Sequence, residues 1–71
     1  MITEIGIVAG EIWHHLDQHG EVSFAGMASA LNRPQDLVLM SLGWLAREGH
    51  VLVRQSGADY DVELREKPKH S

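Results

Sequence analysis

The stretch from Pro34 to Val53 constrains the fold of this chain more than any other. Pro34 suits the first position of a helix, because its ring presets a helical φ and its missing N–H would have no partner there. Gly49 predicts the end of that helix, since glycine adopts the left-handed conformation without a Cβ clash. Between them, one stripe of residues recurs at helical spacing and predicts a buried face. This stripe consists of Val38, Ser41, Leu42 and Leu45.

The segment after this helix predicts a β-hairpin. Apolar side chains recur at every second position in two runs, which is the period of a half-buried strand. The inward-facing set consists of Val51, Val53, Tyr60, Val62 and Leu64. Between the two runs, residues 56–58 predict a tight turn in which Gly57 supplies a positive φ.

The first part of the chain predicts a long amphipathic helix that begins after an N-cap at Thr3 and ends at Gly20. Its apolar face consists of Ile5, Val8, Ala9, Ile12 and Leu16. Trp13 flanks this face, and we expect most of its ring to be buried. Gly6 and Gly10 each lower helix stability by about 1 kcal/mol relative to alanine. We therefore expect another backbone to approach this helix closely.

A short second helix follows Ser23, which is a good N-cap. Its apolar face consists of Phe24, Met27, Ala28 and Leu31. Glu21 and Val22 are too few for an independent strand, so we expect them to pair at the edge of the later hairpin. The predicted order is α-β-α-α-β-β. It indicates an α+β fold of the winged helix-turn-helix type, with three helices and a small antiparallel sheet.

The length of 71 residues allows one domain, predicted at residues 1–64, followed by a flexible charged tail at residues 65–71. The chain contains no cysteine, which excludes disulfides and thiolate chemistry and is compatible with a reducing cytoplasm. No apolar run approaches the roughly 20 residues of a membrane span. We also expect no signal peptide, because the N-terminus lacks a basic segment followed by an apolar run.

Several segments resemble one known family. The run from Gly43 to Gly49, which includes Gly-Trp-Leu-Ala-Arg-Glu, resembles the signature of a small prokaryotic winged helix-turn-helix family of uncharacterised function. Further similar positions are Ile5-Gly6, Ala9-Gly10, Trp13, Leu16 and the entry to the second helix at residues 20–23. The resemblance covers roughly residues 2–64 and implies the fold without implying an activity. DNA binding follows only from the analogy with winged-helix transcription regulators.

The charge distribution disfavours DNA binding. The net charge is −4, and the last seven residues carry a local +2, so the rest of the chain carries −6. Nonspecific affinity for DNA comes mainly from Lys and Arg side chains that neutralise phosphates. DNA contacts would have to come from the tail and from five residues of the domain. These five are Asn32, Arg33, Gln35, Arg47 and Arg54.

The outward side of the third helix is mainly apolar. In DNA-binding winged helices this helix enters the major groove and reads base edges with polar side chains. Here the outward positions, with Trp44 on one shoulder, are Asp36, Leu39, Met40, Gly43 and Arg47. We therefore predict that Leu39, Met40, Gly43 and Trp44 contact a protein partner or a second copy of the chain. The alternative for Trp44 and Leu39 is an inward position, covered by the first helix or the hairpin.

Other functions have little support in the sequence. His15 and His19 are four residues apart, a spacing that can place two ligands on one metal, but the sequence supplies no third ligand. The serines lack the context of a nucleophile elbow or a phosphate loop. We therefore expect a stand-alone regulatory interaction module rather than an enzyme. It should need no cofactor, metal or small-molecule substrate and should have no membrane contact, and DNA binding by a transcription regulator is the alternative.

Overall fold

A computed structural model describes residues 2–65, with side chains from residue 4 onwards. Its elements are α1 (Ile2–His19), β1 (Val22–Ser23), α2 (Phe24–Leu31), α3 (Gln35–Arg47), β2 (Val51–Ser56) and β3 (Asp59–Leu64). This α-β-α-α-β-β order confirms the predicted winged helix-turn-helix fold. Residues 66–71, which include most of the predicted tail, lie outside the described part. Arg65 adjoins the hairpin, because its backbone N–H donates to the His50 carbonyl at 2.9 Å.

The three strands form one antiparallel sheet in the order β1-β3-β2. β2 and β3 pair from Val51↔Leu64 to Ser56↔Asp59, so the turn contains only two residues. Gly57 is the first of them and has φ +62°, as the sequence predicts. β1 pairs Val22 with Val62 and Ser23 with Asp61, which confirms that the short segment joins the edge of the hairpin.

The hydrophobic core lies between α1, α3 and the inner half of the hairpin, and α2 closes one end. The predicted stripe of α3 is buried, and so is the face of α1 from Val8 to Leu16, although Ile5 is only partly covered. Ser41 is the one buried polar side chain of the described residues. Its Oγ donates to the Leu37 carbonyl at 2.8 Å, so the hydroxyl adds no unpaired polar group to the core.

The outer half of the hairpin is less buried than the sequence predicts. Val53 and Tyr60 lie on the core side of the hairpin, yet 39% and 41% of their surfaces are exposed. Only Val51 of β2 is buried, because the outer half of the hairpin extends past the end of the core. Trp13 retains 39% exposure, so more than half of its surface is covered where it flanks the buried face of α1.

The ends of the helices agree with the sequence to within one or two residues. Pro34 is the N-cap of α3 rather than its first helical residue, since its carbonyl accepts from Val38 N–H at 3.1 Å. Thr3 lies inside α1 instead of capping it. Ser23 caps α2 as predicted, its Oγ accepting from Gly26 N–H at 3.1 Å. At the end of α3, Gly49 has φ +82°.

The turn at Gly49 joins α3 to the hairpin through a Schellman motif. Gly49 N–H donates to the Ala46 carbonyl at 3.0 Å, and His50 N–H donates to the Leu45 carbonyl at 2.9 Å. These bonds satisfy carbonyl groups that the end of a helix leaves unpaired. They also fix the direction in which the chain enters β2.

The close backbone approach expected at Gly6 and Gly10 is absent. A Cβ added at either glycine would meet nothing within 4 Å among the described residues. Both positions face an open groove, so the propensity cost is not offset by a contact with any residue that the structure describes.

We predict opposite effects for one substitution at two glycines. Gly10→Ala should raise the free energy of unfolding by about 1 kcal/mol, because alanine favours the helix and its methyl group enters open space. Gly49→Ala should lower it by roughly 1–2 kcal/mol, because the left-handed conformation clashes with a Cβ. Urea titrations followed by tryptophan fluorescence measure both. A destabilised Gly10→Ala variant would contradict the open groove beside α1.

Candidate functional site

The outward side of α3 exposes the apolar residues that the sequence singled out. Leu39, Met40 and Trp44 retain 53%, 50% and 48% exposure, and Gly43 is exposed as well. Trp44 therefore lies outside the buried core, with about half of its surface covered. We refer to Leu39, Met40, Gly43 and Trp44 as the α3 outer face.

An apolar groove lies between one flank of α3 and the outer half of the hairpin. Its volume is about 310 Å³. Its lining consists of Leu39, Leu42, Gly43, Ala46, Val53 and Tyr60. We call it the α3–hairpin groove. Ala46, Val53 and Tyr60 belong to this surface although their sequence pattern did not predict it. One feature of the sequence could have indicated this. Val53 and Tyr60 lie toward the turn of the hairpin, away from the inner end that the core covers.

Trp44 lies on the opposite flank of α3, beside a second groove of about 300 Å³. This groove runs along α1 and is lined by Gly6, Ala9, Gly10, Trp13, Trp44, Leu45 and His50. The Trp44 and His50 ring centroids are 6.5 Å apart, with the rings tilted by 35°. The α3 outer face therefore borders two grooves, and its four residues do not line a single pocket.

Charged residues occur at both ends of this face. Asp36 lies in the first turn of α3 and Arg47 in the last, and both side chains are exposed. At 100° per residue they point in nearly the same direction as Met40. Their order suits the helix dipole, which favours an acid at the N-terminus and a base at the C-terminus.

Arg33, one of the candidate DNA contacts, is engaged by an acid. Its Nε and Nη2 donate to the two carboxylate oxygens of Glu11 at 3.0 and 2.6 Å. This two-point hydrogen bond lowers the pKa of Glu11 below its ordinary value and raises the pKa of Arg33. The pair ties α1 to the turn before α3. The positive charge of Arg33 is therefore largely compensated before any phosphate approaches.

Arg54 of the hairpin is engaged by two acids. Its Nη1 donates to Glu63 at 3.1 Å, and its Nη2 donates to Glu21 beside β1. Asp59 also lies at the base of the turn and accepts from Ala25 N–H at 3.4 Å, at the positive end of α2. The hairpin thus presents an arginine whose charge is paired with two carboxylates.

The other candidate DNA contacts are placed around the start and the end of α3. Asn32 is exposed in the turn with φ 56°, and its backbone N–H is shared between the Ala28 and Ser29 carbonyls at 3.2 Å. Gln35 is exposed at the first position of α3, and Arg47 is exposed in the last turn. The structure therefore does not gather the five candidates into one basic surface.

Neither a metal site nor a membrane span is found in residues 2–65. The His15 and His19 ring centroids lie 4.4 Å apart with the rings tilted by 38°, but no group of three or more metal-ligating side chains forms around them in this range. Burial lowers the pKa of His15, and the neighbouring His19 lowers it further. No helix of the described chain is both long and apolar enough to cross a bilayer.

Comparison with known proteins identifies the family. The family described as "Winged helix-turn-helix domain (DUF2582)" matches residues 1–64. The chain belongs to this family. An uncharacterized protein of Methanocaldococcus jannaschii is 32% identical over 68 residues, covering 92% of this chain and 96% of that protein. The suspected family of uncharacterised prokaryotic winged helices is thereby confirmed.

A solved structure supports the fold of this DUF2582 member. The solution NMR structure of protein BT2368 from Bacteroides thetaiotaomicron superposes with a TM-score of 0.76 at 23% sequence identity. The similarity covers 97% of this chain and 92% of that one. Winged helix domains are binding and regulatory folds that are not typically catalytic. The family fold is compatible with protein interaction and with DNA binding.

We predict a pH-dependent contribution from the Glu11–Arg33 pair. Glu11→Gln should lower stability at pH 7, since a neutral amide cannot hold the arginine as a carboxylate does. Because the folded state lowers the pKa of Glu11 from 4.5, the stabilisation is complete above that pH. It should disappear as the pH falls through the lowered pKa, where wild type and variant converge.

Thermal unfolding of both proteins between pH 2 and pH 7 measures this convergence. Asp17→Asn is the matched control, because it neutralises another exposed carboxylate of α1. A difference between wild type and Glu11→Gln that persists unchanged to the lowest pH would contradict the ion pair.

Proposed function

We propose that this winged helix is a regulatory module of the cytoplasm that binds protein through the α3 outer face and the adjoining α3–hairpin groove. The observation that carries the proposal is the apolar character of the side of α3 that DNA-binding relatives of this fold turn toward bases. Three large apolar side chains there retain about half of their surface in water. Groups of such side chains around a groove are typical of contact sites.

The free energy that burial of these three side chains can contribute is small, which favours a partner that also fills the groove. Complete burial of a large apolar side chain contributes about 1.5–3 kcal/mol. Leu39, Met40 and Trp44 are already half buried, so covering the remainder would contribute about 1 kcal/mol each. Association costs several kcal/mol in lost freedom of motion. A partner must therefore also cover Val53 and Tyr60 across the groove.

The charges of the same region weigh against DNA as the partner. Base reading needs hydrogen-bonding side chains at the outward positions of α3, where this chain has Leu39, Met40 and Gly43. Arg33 and Arg54 are held by carboxylates, and bringing either to a phosphate would require breaking those contacts. Within α3 itself Arg47 is the one basic side chain, so this helix supplies a single cation to the phosphate contacts on which nonspecific binding depends.

The first test is an amide chemical-shift titration of labelled protein with short mixed-sequence duplex DNA at low salt. We expect no saturable shifts at Asn32, Arg33, Gln35, Arg47 and Arg54. Shifts at these residues that grow with DNA and vanish with added salt would contradict the proposal, because they are typical of phosphate contacts. The Arg54→Ala variant shows whether the hairpin contributes to any response.

The second test is site-specific photo-cross-linking in cells that produce the protein. A benzophenone amino acid at position 39 should form covalent adducts with protein. The same group at position 18, an exposed site of α1 (Gln18), serves as the matched control and should not form them. Adducts with nucleic acid, or equal yields of protein adducts from both positions, would overturn the proposed function.

A further inference from the structure

The strand β2 lies at an open edge of the sheet. The strand order is β1-β3-β2, so β3 pairs with one side of β2 and no strand of the described chain pairs with the other. Proteins usually protect such an edge with proline, lysine or a β-bulge. β2 reads Val-Leu-Val-Arg-Gln-Ser and pairs with β3 in a continuous register, so it has none of these protections. Arg54 does not block the edge, because its guanidinium is directed across the sheet to Glu63 and Glu21.

The register shows which backbone groups face the open edge. The residues on either side of a two-residue turn form a hydrogen-bonded pair, and the bonding then alternates along the strands. The even-numbered residues of β2 therefore bond to β3, and the bond from Arg65 N–H to the His50 carbonyl at 2.9 Å continues this alternation. The N–H and C=O groups of Val51, Val53 and Gln55 point away from β3. Outside the sheet, no backbone hydrogen bond of the described residues uses these groups.

The side chains beside this edge belong to the α3–hairpin groove. Because side chains alternate between the two faces of a sheet, a strand added at Val53 would place every second side chain on the side of α3. There these side chains would meet Leu39 and Tyr60, which are only partly covered in the free protein. The intervening side chains would lie on the opposite face, beside Leu52 and Arg54. A fitting segment therefore alternates apolar and polar residues.

Two charges border the groove along α3. Asp36 and Arg47 are separated by about 16 Å along the helix axis, and at 100° per residue both lie beside Gly43, which lines the groove. The ion pairs of the described residues involve neither charge. Asp36 lies toward the hairpin turn, since Leu39 lines the groove together with Tyr60, and Arg47 lies toward the start of β2. A complementary segment carries a basic residue near the turn and an acidic residue near the start of β2.

We propose that the α3–hairpin groove receives an extended segment of a different protein, which adds to the open edge of β2 as an antiparallel fourth strand. This inference rests on the proposed function and specifies the conformation and chemistry of the partner. Main-chain hydrogen bonds to Val53 and Gln55 would supply affinity, and apolar side chains in the groove would supply specificity. From its N-terminus, the segment begins with a basic residue, continues with alternating apolar and polar residues and ends with an acidic residue.

A substitution at Gln55 provides the decisive test. Gln55→Pro removes an outward N–H and leaves the inward bonds of Arg54 and Ser56 intact, and an edge strand tolerates proline at such a position. With the benzophenone amino acid at position 39, this variant should give about tenfold fewer protein adducts, since one bond is lost and its acceptor is left unpaired. Gln55→Thr is the matched control, because it loses the same side chain but keeps the N–H, and it should leave the yield unchanged. Amide spectra confirm that β2 and β3 remain paired in both variants.

A synthetic peptide tests the same geometry in the wild-type protein, without any substitution in the hairpin. The probe is acetylated and amidated and reads Lys-Thr-Val-Thr-Val-Thr-Glu. In titrations of labelled protein, the amide signals of Val53 and Gln55 should shift more than that of Arg54 between them, because only outward N–H groups gain an acceptor. The peptide with lysine and glutamate exchanged should bind about tenfold more weakly, since its charges would repel those that border the groove.

The outcomes separate this inference from the proposed function. A folded Gln55→Pro variant with an unchanged adduct yield would overturn the added strand. So would a peptide that fails to bind at millimolar concentration or that shifts all amides of β2 alike. In these cases protein binding by the α3 outer face stands if position 39 still cross-links to protein.

The remaining outcomes concern other occupants of the edge. Amide shifts at Val53 and Gln55 that depend on the concentration of the protein alone would show pairing between copies and would overturn the different protein as occupant. Salt-sensitive DNA binding in the titration would remove the proposed function and this inference together.

Discussion

The burial of one stripe of α3 is the constraint on which the rest of the structure depends. Val38, Leu42 and Leu45 face α1 and the inner hairpin, and Ser41 joins them by donating to a backbone carbonyl. Once this stripe is buried, the orientation of the helix is fixed. The opposite side must then face water or a partner. Burial of the stripe therefore also exposes Met40 and Gly43.

The ion pairs act more on the electrostatics of the surface than on stability. Arg33 and Arg54 are exposed enough that their pairs with acids stabilise the fold little. Their larger effect is to compensate two of the three cations of residues 1–64. The two pairs thereby reduce the positive charge that Arg33 and Arg54 present to solvent.

Much of the fold could be predicted from the sequence, because local signals agree with one another. The spacing of the α3 stripe, Gly49 and the two-residue turn each predict one element, and together they predict their order. The candidate site was less predictable from the sequence than the fold. The Glu11–Arg33 pair joins residues 22 positions apart, and the exposure of Val53 and Tyr60 depends on how far the hairpin extends past the core. Neither has a local signature.

Gly43 is the residue of the α3 outer face whose cost to helix stability is not offset by packing among the described residues. A glycine inside a helix costs about 1 kcal/mol relative to alanine, and no described residue packs closely over this one. The fold alone would be more stable with alanine there. A partner chain that approaches at this point would use the missing side chain, since a methyl group would hold the two backbones apart. The cost that is not offset within one copy would then be offset in the complex with a partner.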